Sequence, residues 1–238
     1  RPPTPRKFPT VKQATSAPNG TGGLDPFRGS TGVTVLVAAT EIDPGEEVTV
    51  DFIGLGGESG IGSVMGVKPN TSNGLEFAIP APVVAANIPV RGDGRKVEVR
   101  YWAGRDVQHS AVYTLTINEL SGESFGSVNC TGVQIGSPAT LSKSEVAENG
   151  AAIEIEKWAY HEGAQLINVW AVASGDRKDF LEGAPTPITA DGNFTTPLPQ
   201  DYVAPLPVNS RLTLYASVSF DQGHSYRDFK SMEIKLVS

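Results

Sequence analysis

The sequence predicts an all-β protein made of two tandem antiparallel β-sandwich domains. Three observations lead there. The 238 residues are rich in Gly (26) and Pro (18), and short Val/Ile/Thr-rich runs recur between turn residues. No apolar stretch is long enough for a structural helix, so strands must build the core. The order of apolar runs also repeats between the two halves. "EIDPGEEVTVDFIG", "LEFAIPAPVVAANIPV", "KVEVRYWAG" and "YTLTINEL" are followed by "HEGAQLINVWAV", "FTTPLPQDYVAPLPV", "RLTLYASVS" and "KSMEIKLV".

Spacing supports the repeat. Gly45 lies 118 positions before Gly163, Val97 lies 115 before Leu212, and Leu115 and Ile117 lie 117 before Met232 and Ile234. The expected organisation is a Pro-rich lead-in over 1–9, a first domain over 10–121 and a second over 122–238. Strands are expected near 10–15, 32–40, 46–54, 61–67, 74–79, 95–103 and 111–120. In the second copy they fall near 125–134, 151–160, 164–173, 177–182, 192–198, 210–220 and 229–237. Alternation orients several of them: Val33, Val35 and Val37 face one way, and Val97, Val99 and Tyr101 face in while Glu98 and Arg100 face out. "SKSEVAENG" and "PVVAAN" are each long enough for a helical turn. "GLGGESGIGSVMG" reads as a flexible loop or edge strand. Phe52 and Trp170 fall on corresponding strands and are expected in the core, with the register of "LINVWAV" left open.

Charge excludes one partner class. The net charge of −7 divides into −1 over residues 1–120 and −6 over 121–238, with no basic stripe in either half. Nucleic acid is therefore not an expected partner. Cys130 stands alone, so internal disulfides cannot hold the fold. The chain shows no membrane-length apolar run and no signal peptide, and starting on Arg it reads as a fragment of a longer protein.

"EIDPGEEVTVDFIG" followed by "IPAPVVAANIPVRGDGRKVEVRYWAG" resembles the immunoglobulin-like tandem repeats of large bacterial surface and adhesin-type proteins. The resemblance covers roughly residues 30–120; the second copy keeps the scaffold and loses "VVAAN". It implies an immunoglobulin-like sandwich acting as a non-catalytic spacer, and in addition an adhesive module, at the cell surface or in the extracellular medium. Neighbouring repeats of the same chain, and a cell-surface glycan or protein, are the partners it implies. The alternative is accessory or carbohydrate-binding domains of an exported enzyme or toxin whose catalytic part lies outside this fragment. Fold likeness alone transfers no activity.

Two stretches offer binding chemistry. Extending the alternation of "AAIEIEKWAYHEG" puts Trp158 and Tyr160 on the outer face, where two aromatics could form a platform for a sugar ring or a protein partner. The competing reading is a bulge near Lys157 that returns both rings to the core. Arg91, Gly92 and Asp93 spell an adhesion tripeptide in a loop three residues longer than its counterpart "NSR", but a tight turn already needs those residues. The turn is the preferred reading.

No catalytic constellation is expected. His109, His161 and His224 lie far apart, and Cys130 has no adjacent His to activate it. Asp176, Asp179 and Asp191 offer hard oxygen ligands without a calcium-loop spacing, so no metal or cofactor is expected. Four Asn-x-Ser/Thr sequons stand at Asn19, Asn70, Asn129 and Asn193.

Overall fold

A computed structural model describes residues 4–92, 94–162, 164–187 and 192–238. Contacts divide the chain into two units, Arg1–Leu120 and Ser121–Ser238. Both are mostly β.

Unit 1 runs β1 (Thr10–Val11), β2 (Thr15–Ala17), β3 (Thr21–Leu24), β4 (Val33–Leu36), β5 (Val48–Ile53), β6 (Val64–Val67), β7 (Glu76–Ile79), helix α1 (Ala81–Ala86), β8 (Arg95–Ala103) and β9 (Tyr113–Ile117). These form a three-stranded sheet, β1-β4-β7, and a six-stranded sheet, β2-β3-β9-β8-β5-β6. One face of each is apolar and fully buried: Val33, Val35, Phe77 and Ile79 on the small sheet, and Val50, Phe52, Val97, Val99 and Leu115 on the large one. A sheet face with no exposure needs a cover, and within the unit each sheet supplies the other's.

Unit 2 runs β10 (Val128–Cys130), β11 (Ala139–Ser142), α2 (Lys143–Asn149), β12 (Ala151–Ile155), β13 (Leu166–Ala173), β14 (Asp176–Pro185), β15 (Phe194–Leu198), α3 (Gln200–Val203), β16 (Arg211–Ser219), β17 (Arg227–Asp228) and β18 (Met232–Val237). Its small sheet is β10-β12-β15; its large sheet is β11-β18-β16-β13-β14, with β17 beside β16. β10, β12 and β15 stand where β1, β4 and β7 stand in unit 1, and β11, β18, β16, β13 and β14 follow the path of β3, β9, β8, β5 and β6. The short helices have local causes. Ser142 caps α2 by accepting from the Glu145 amide, with Glu145 at the matching position of a capping box. α1 opens after Pro80 with Pro82 in its first turn, where a missing N–H costs nothing.

Four features depart from the sequence reading. The sheets are not purely antiparallel: β3 pairs with β9, and β11 with β18, in parallel. Those two strands went unpredicted. Residues 6–8 are not a separate lead-in, because Arg6 pairs with Glu46 and Asp106, its amide carbonyl accepts from Ala111, and the Tyr101 hydroxyl donates to Lys7 at 2.8 Å. The glycine-rich stretch 54–66 is an ordered turn over 54–63 rather than a flexible loop, and it leads from Val64 into β6, the edge strand that the sequence reading includes. Fully buried Asn87 holds the turn, accepting from the Leu55 amide at 2.8 Å and donating to the Gly62 carbonyl at 2.8 Å and the Val83 carbonyl at 2.9 Å. Finally, the registers Val50↔Tyr101 and Val169↔Ala216 set the two copies 119 residues apart at this strand, not 118.

Both large sheets end on an open edge, and both edges are blunted. β6 is four residues long with Gly66 at φ +62°, and β14 is interrupted by register shifts and carries Arg177, Lys178, Asp179 and Glu182.

Candidate functional site

The predicted outward pair is buried. Trp158 is 2% exposed and Tyr160 7%. β12 ends at Ile155, so the alternation stops before it reaches them, and Tyr160 turns the chain at φ +63°. The Trp158 indole donates to Gln165 at 2.9 Å, and Gln165 donates to the Tyr160 carbonyl. Trp158 meets Phe229 edge-on at 5.3 Å and His161 at 4.4 Å, and Phe125 touches both Phe220 and Phe229. This aromatic cluster closes one end of the unit 2 core. Burial lowers the His161 pKa, with Lys157 adding repulsion. A platform for sugar or protein is excluded here because neither ring has a free face.

Aromatics do reach the outer face of unit 2, at a position assigned to the core by sequence. Ile167, Val169 and Ala171 are buried, so Trp170 points the other way. A single-residue difference in register exchanges the faces of a strand, and the shift from 118 to 119 is that difference. Trp170 therefore corresponds to Asp51 of unit 1 rather than to Phe52. It stacks on Tyr215 of β16 at 5.4 Å and 9°, and the Arg177 guanidinium of β14 lies 4.3 Å from its ring. Because β13 runs between β16 and β14, the indole meets a neighbour on each side. The three side chains form a ladder across three strands. Unit 1 carries an ionic cluster at the same place. Buried Asp51 accepts from the Trp102 indole at 2.7 Å, from Arg100 at 3.2 Å and from the Gly66 amide at 2.9 Å.

A cleft of about 670 Å³ opens beside β14, lined by Asp176, Lys178, Phe180, Asp201 and Tyr202 among others. Phe180 and Tyr202 meet edge-to-face at 5.2 Å. The Tyr202 hydroxyl is buried without a hydrogen-bond partner, and burial, with Asp176 contributing, raises its pKa. Charges of both signs line the cleft, so it selects for no single ionic class.

The remaining candidates are quickly placed. Arg91 and Gly92 are exposed, and Gly92 has φ +85°, as a turn requires; Asp93 lies outside the described residues. Asp179 is engaged by Arg177 at 2.8 Å, and Asp191 lies outside the described residues. Among the described residues no three His, Cys, Asp or Glu side chains gather in metal-binding range. Cys130 is buried, and burial with the nearby Glu154 charge pushes its thiol up to about 12. His109 packs edge-on against Trp102 at 5.5 Å, while His224 is exposed. The four sequon asparagines are all exposed. No helix among the described residues is long and apolar enough to cross a membrane.

No protein-family model matches the chain, and no curated protein is similar to it in sequence. Among solved structures it is similar to a tri-modular endo-β-1,4-glucanase from Bacillus licheniformis complexed with cellotetraose, at 11% identity and a TM-score of 0.30. The match covers 97% of this chain and 39% of that one, so the chain spans about two-fifths of the glucanase's length. It is also similar to a cytokine receptor complex, at 8% identity, TM-score 0.30 and coverage of 87% and 91%. A marsupial T cell receptor matches at 9% identity, TM-score 0.25 and coverage of 95% and 99%. At those scores no residue role carries over.

Proposed function

We propose that the chain is a pair of immunoglobulin-like spacer modules, non-catalytic, from a bacterial cell-surface or secreted protein. One observation carries the reading: in each unit the chain enters at one end of the strands and leaves at the other. In unit 1 the parallel register puts Thr21 beside Thr114 and Leu24 beside Ile117, so the exit lies beside the far end of β3. Residue 6 is anchored at the opposite end, beside Asp106 in the loop before β9. In unit 2, Ala139 lies beside Ile234 and Ser142 beside Val237, while Ser127 bridges Lys230 ahead of β18. Modules with opposed termini extend a chain when joined in series. Modules whose termini meet at one end would fold it back.

A second observation supports the resemblance on which the bacterial assignment rests. The Asn of "VVAAN" is Asn87, the residue that pins the 54–63 turn. Unit 2 lacks both: β13 and β14 are joined by Ser174 and Gly175 alone. Motif and turn are thus one structural device, and unit 2's loss of the motif leaves its sheet order unaltered.

Two measurements test the reading. Residues 1–120 and 121–238, expressed separately, are expected to unfold cooperatively, each at the temperature it shows in the full chain. The full chain is expected to bind nothing on arrays of glycans and matrix proteins. Saturable binding that disappears in Trp170→Ala/Tyr215→Ala or in Tyr202→Ala would replace the spacer by a binding module in unit 2.

A further inference from the structure

We infer that the cleft beside β14 is a docking site for a proline-rich basic segment, and that its occupant is the stretch Arg1-Pro2-Pro3-Thr4-Pro5 of a second copy of the chain. The inference goes beyond the spacer reading and does not depend on it.

The lining decides the class of occupant. It comes mainly from β14 between Asp176 and Phe180 and from the segment around α3, where Pro199, Tyr202 and Pro205 take part. Phe180 and Tyr202, both half-buried, meet edge-to-face at 5.2 Å. Aromatic rings beside an apolar wall are what a polyproline segment docks against, because it arrives already extended and loses little entropy. The volume of about 670 Å³ lies within the range of about 300–1,000 Å³ typical of ligand clefts.

A β-strand does not suit the same place. Register shifts opposite Ile167 and Val169 interrupt β14, so its edge offers no regular ladder. A proline-rich segment asks for none, since proline has no N–H to give. Its carbonyls remain free acceptors. The Tyr202 hydroxyl is buried without a hydrogen-bond partner among the described residues, and burial together with the Asp176 charge keeps it protonated. A buried donor left unpaired is costly, so an acceptor brought by the occupant is favoured.

Charge adds orientation to this fit. Arg177 is held by Asp179 at 2.8 Å and lies over Trp170, so its cation is already engaged. Exposed Asp176 and Asp201 are left against Lys178, a surplus of one negative charge in the cleft. Residues 1–7 hold three basic residues and no acidic one, and unit 2 as a whole carries −6. Arg6 is bound to Glu46 and Asp106 in its own unit, so Arg1 is the cation that meets the surplus. Thr4 and Pro5 are exposed and belong to no strand; residues 1–3 lie outside the described residues. A contact between one copy's segment and another's cleft is heterologous, so it can repeat from chain to chain.

The experiment titrates the amidated peptide Arg-Pro-Pro-Thr-Pro into the ¹⁵N-labelled chain from which residues 1–5 have been removed. Saturable amide shifts are expected at Lys178, Phe180 and Tyr202, with unit 1 unmoved. A peptide with alanine in place of each proline keeps the charge and should bind roughly tenfold more weakly, having lost its preformed conformation. Tyr202→Phe, which keeps the ring, and the exposed pair Asp176→Asn/Asp201→Asn should each weaken binding severalfold. No shift at millimolar peptide, shifts confined to other surfaces, or equal affinity for the alanine peptide would overturn the proposal. Sedimentation then compares the full chain with the shortened one. The full chain is expected to gain average mass with concentration, and the shortened chain to stay monomeric. A full chain that remains monomeric above the dissociation constant of the peptide would overturn the second copy as occupant. Glycan or matrix binding would end the spacer reading without altering the peptide titration.

Discussion

Replacing Asn87 by Ala should destabilise unit 1 while unit 2 is unaffected. The side chain is fully buried and makes three hydrogen bonds, one accepted from Leu55 and two donated to Gly62 and Val83. A net value of about 1 kcal/mol per bond gives about 3 kcal/mol in all. For a unit of this size that corresponds to a fall in melting temperature of roughly 10 °C. The turn has little freedom to relax: a Cβ on Gly54 or Gly62 would already meet the Asn87 amide within 2.6 Å. Calorimetry of the full chain reads both transitions, with unit 2 as the internal control, and hydrogen exchange follows the Leu55 amide. Asn87→Asp keeps the acceptor, removes both donated bonds and adds a charge, so it should be at least as harmful. A unit 1 transition shifted by less than about 2 °C, with the Leu55 amide still protected, would refute the assignment of Asn87 as the anchor of the turn.

Three further outcomes follow from particular residues. A His161 pKa below the ordinary 6.5 means that the unfolded chain takes up its proton first as pH falls. Unit 2 should therefore hold its full stability above pH 6.5 and lose it progressively below, with a smaller loss in His161→Gln, as read by denaturant midpoints. The Cys130 thiol, pushed up to about 12, should resist iodoacetamide in the native chain at pH 8 and react once unit 2 is unfolded, as mass spectrometry would show. Gly22→Ala puts a Cβ 1.7 Å from the Tyr113 hydroxyl, which lies 2.7 Å from the Ser16 hydroxyl. It should cost about 1–3 kcal/mol by thermal denaturation, partly restored in a Tyr113→Phe background.

The strands with strong alternation were legible in the sequence. Val33, Val35, Val97, Val99, Leu212 and Leu214 all lie on the buried side as their spacing requires. β3 and β11 were not, because four residues of Gly, Ser, Thr and Ala with one Leu each carry no period; only their neighbours in the sheet define them. Leu115 and Ile117 pair with Val97 and Arg95, and Ile234 and Leu236 occupy the equivalent places in unit 2, an offset of 119 where the sequence suggested 117. An error of two leaves every side chain on its proper face. The error of one at Trp170 did not, and it moved an outward aromatic into the predicted core. Trp158 and Tyr160 follow the competing reading instead: the alternation ends with β12 at Ile155, ahead of Lys157, and both rings return to the core. The hydrogen bond from Trp158 to Gln165 joins residues whose contact depends on the turn between them.

The charged, bulged edge of β14 has a consequence for any chain that carries such units in series. Tethered neighbours meet at effective concentrations in the millimolar range, far above those of free domains. An open, regular edge at that concentration would capture a half-formed strand from the next unit as it leaves the ribosome, and the two would lock into a swapped product. Arg177, Lys178, Asp179 and Glu182, with the register breaks opposite Ile167 and Val169, leave no straight run of backbone for such a strand to copy. The feature protects the folding of the neighbours more than the stability of the unit that bears it.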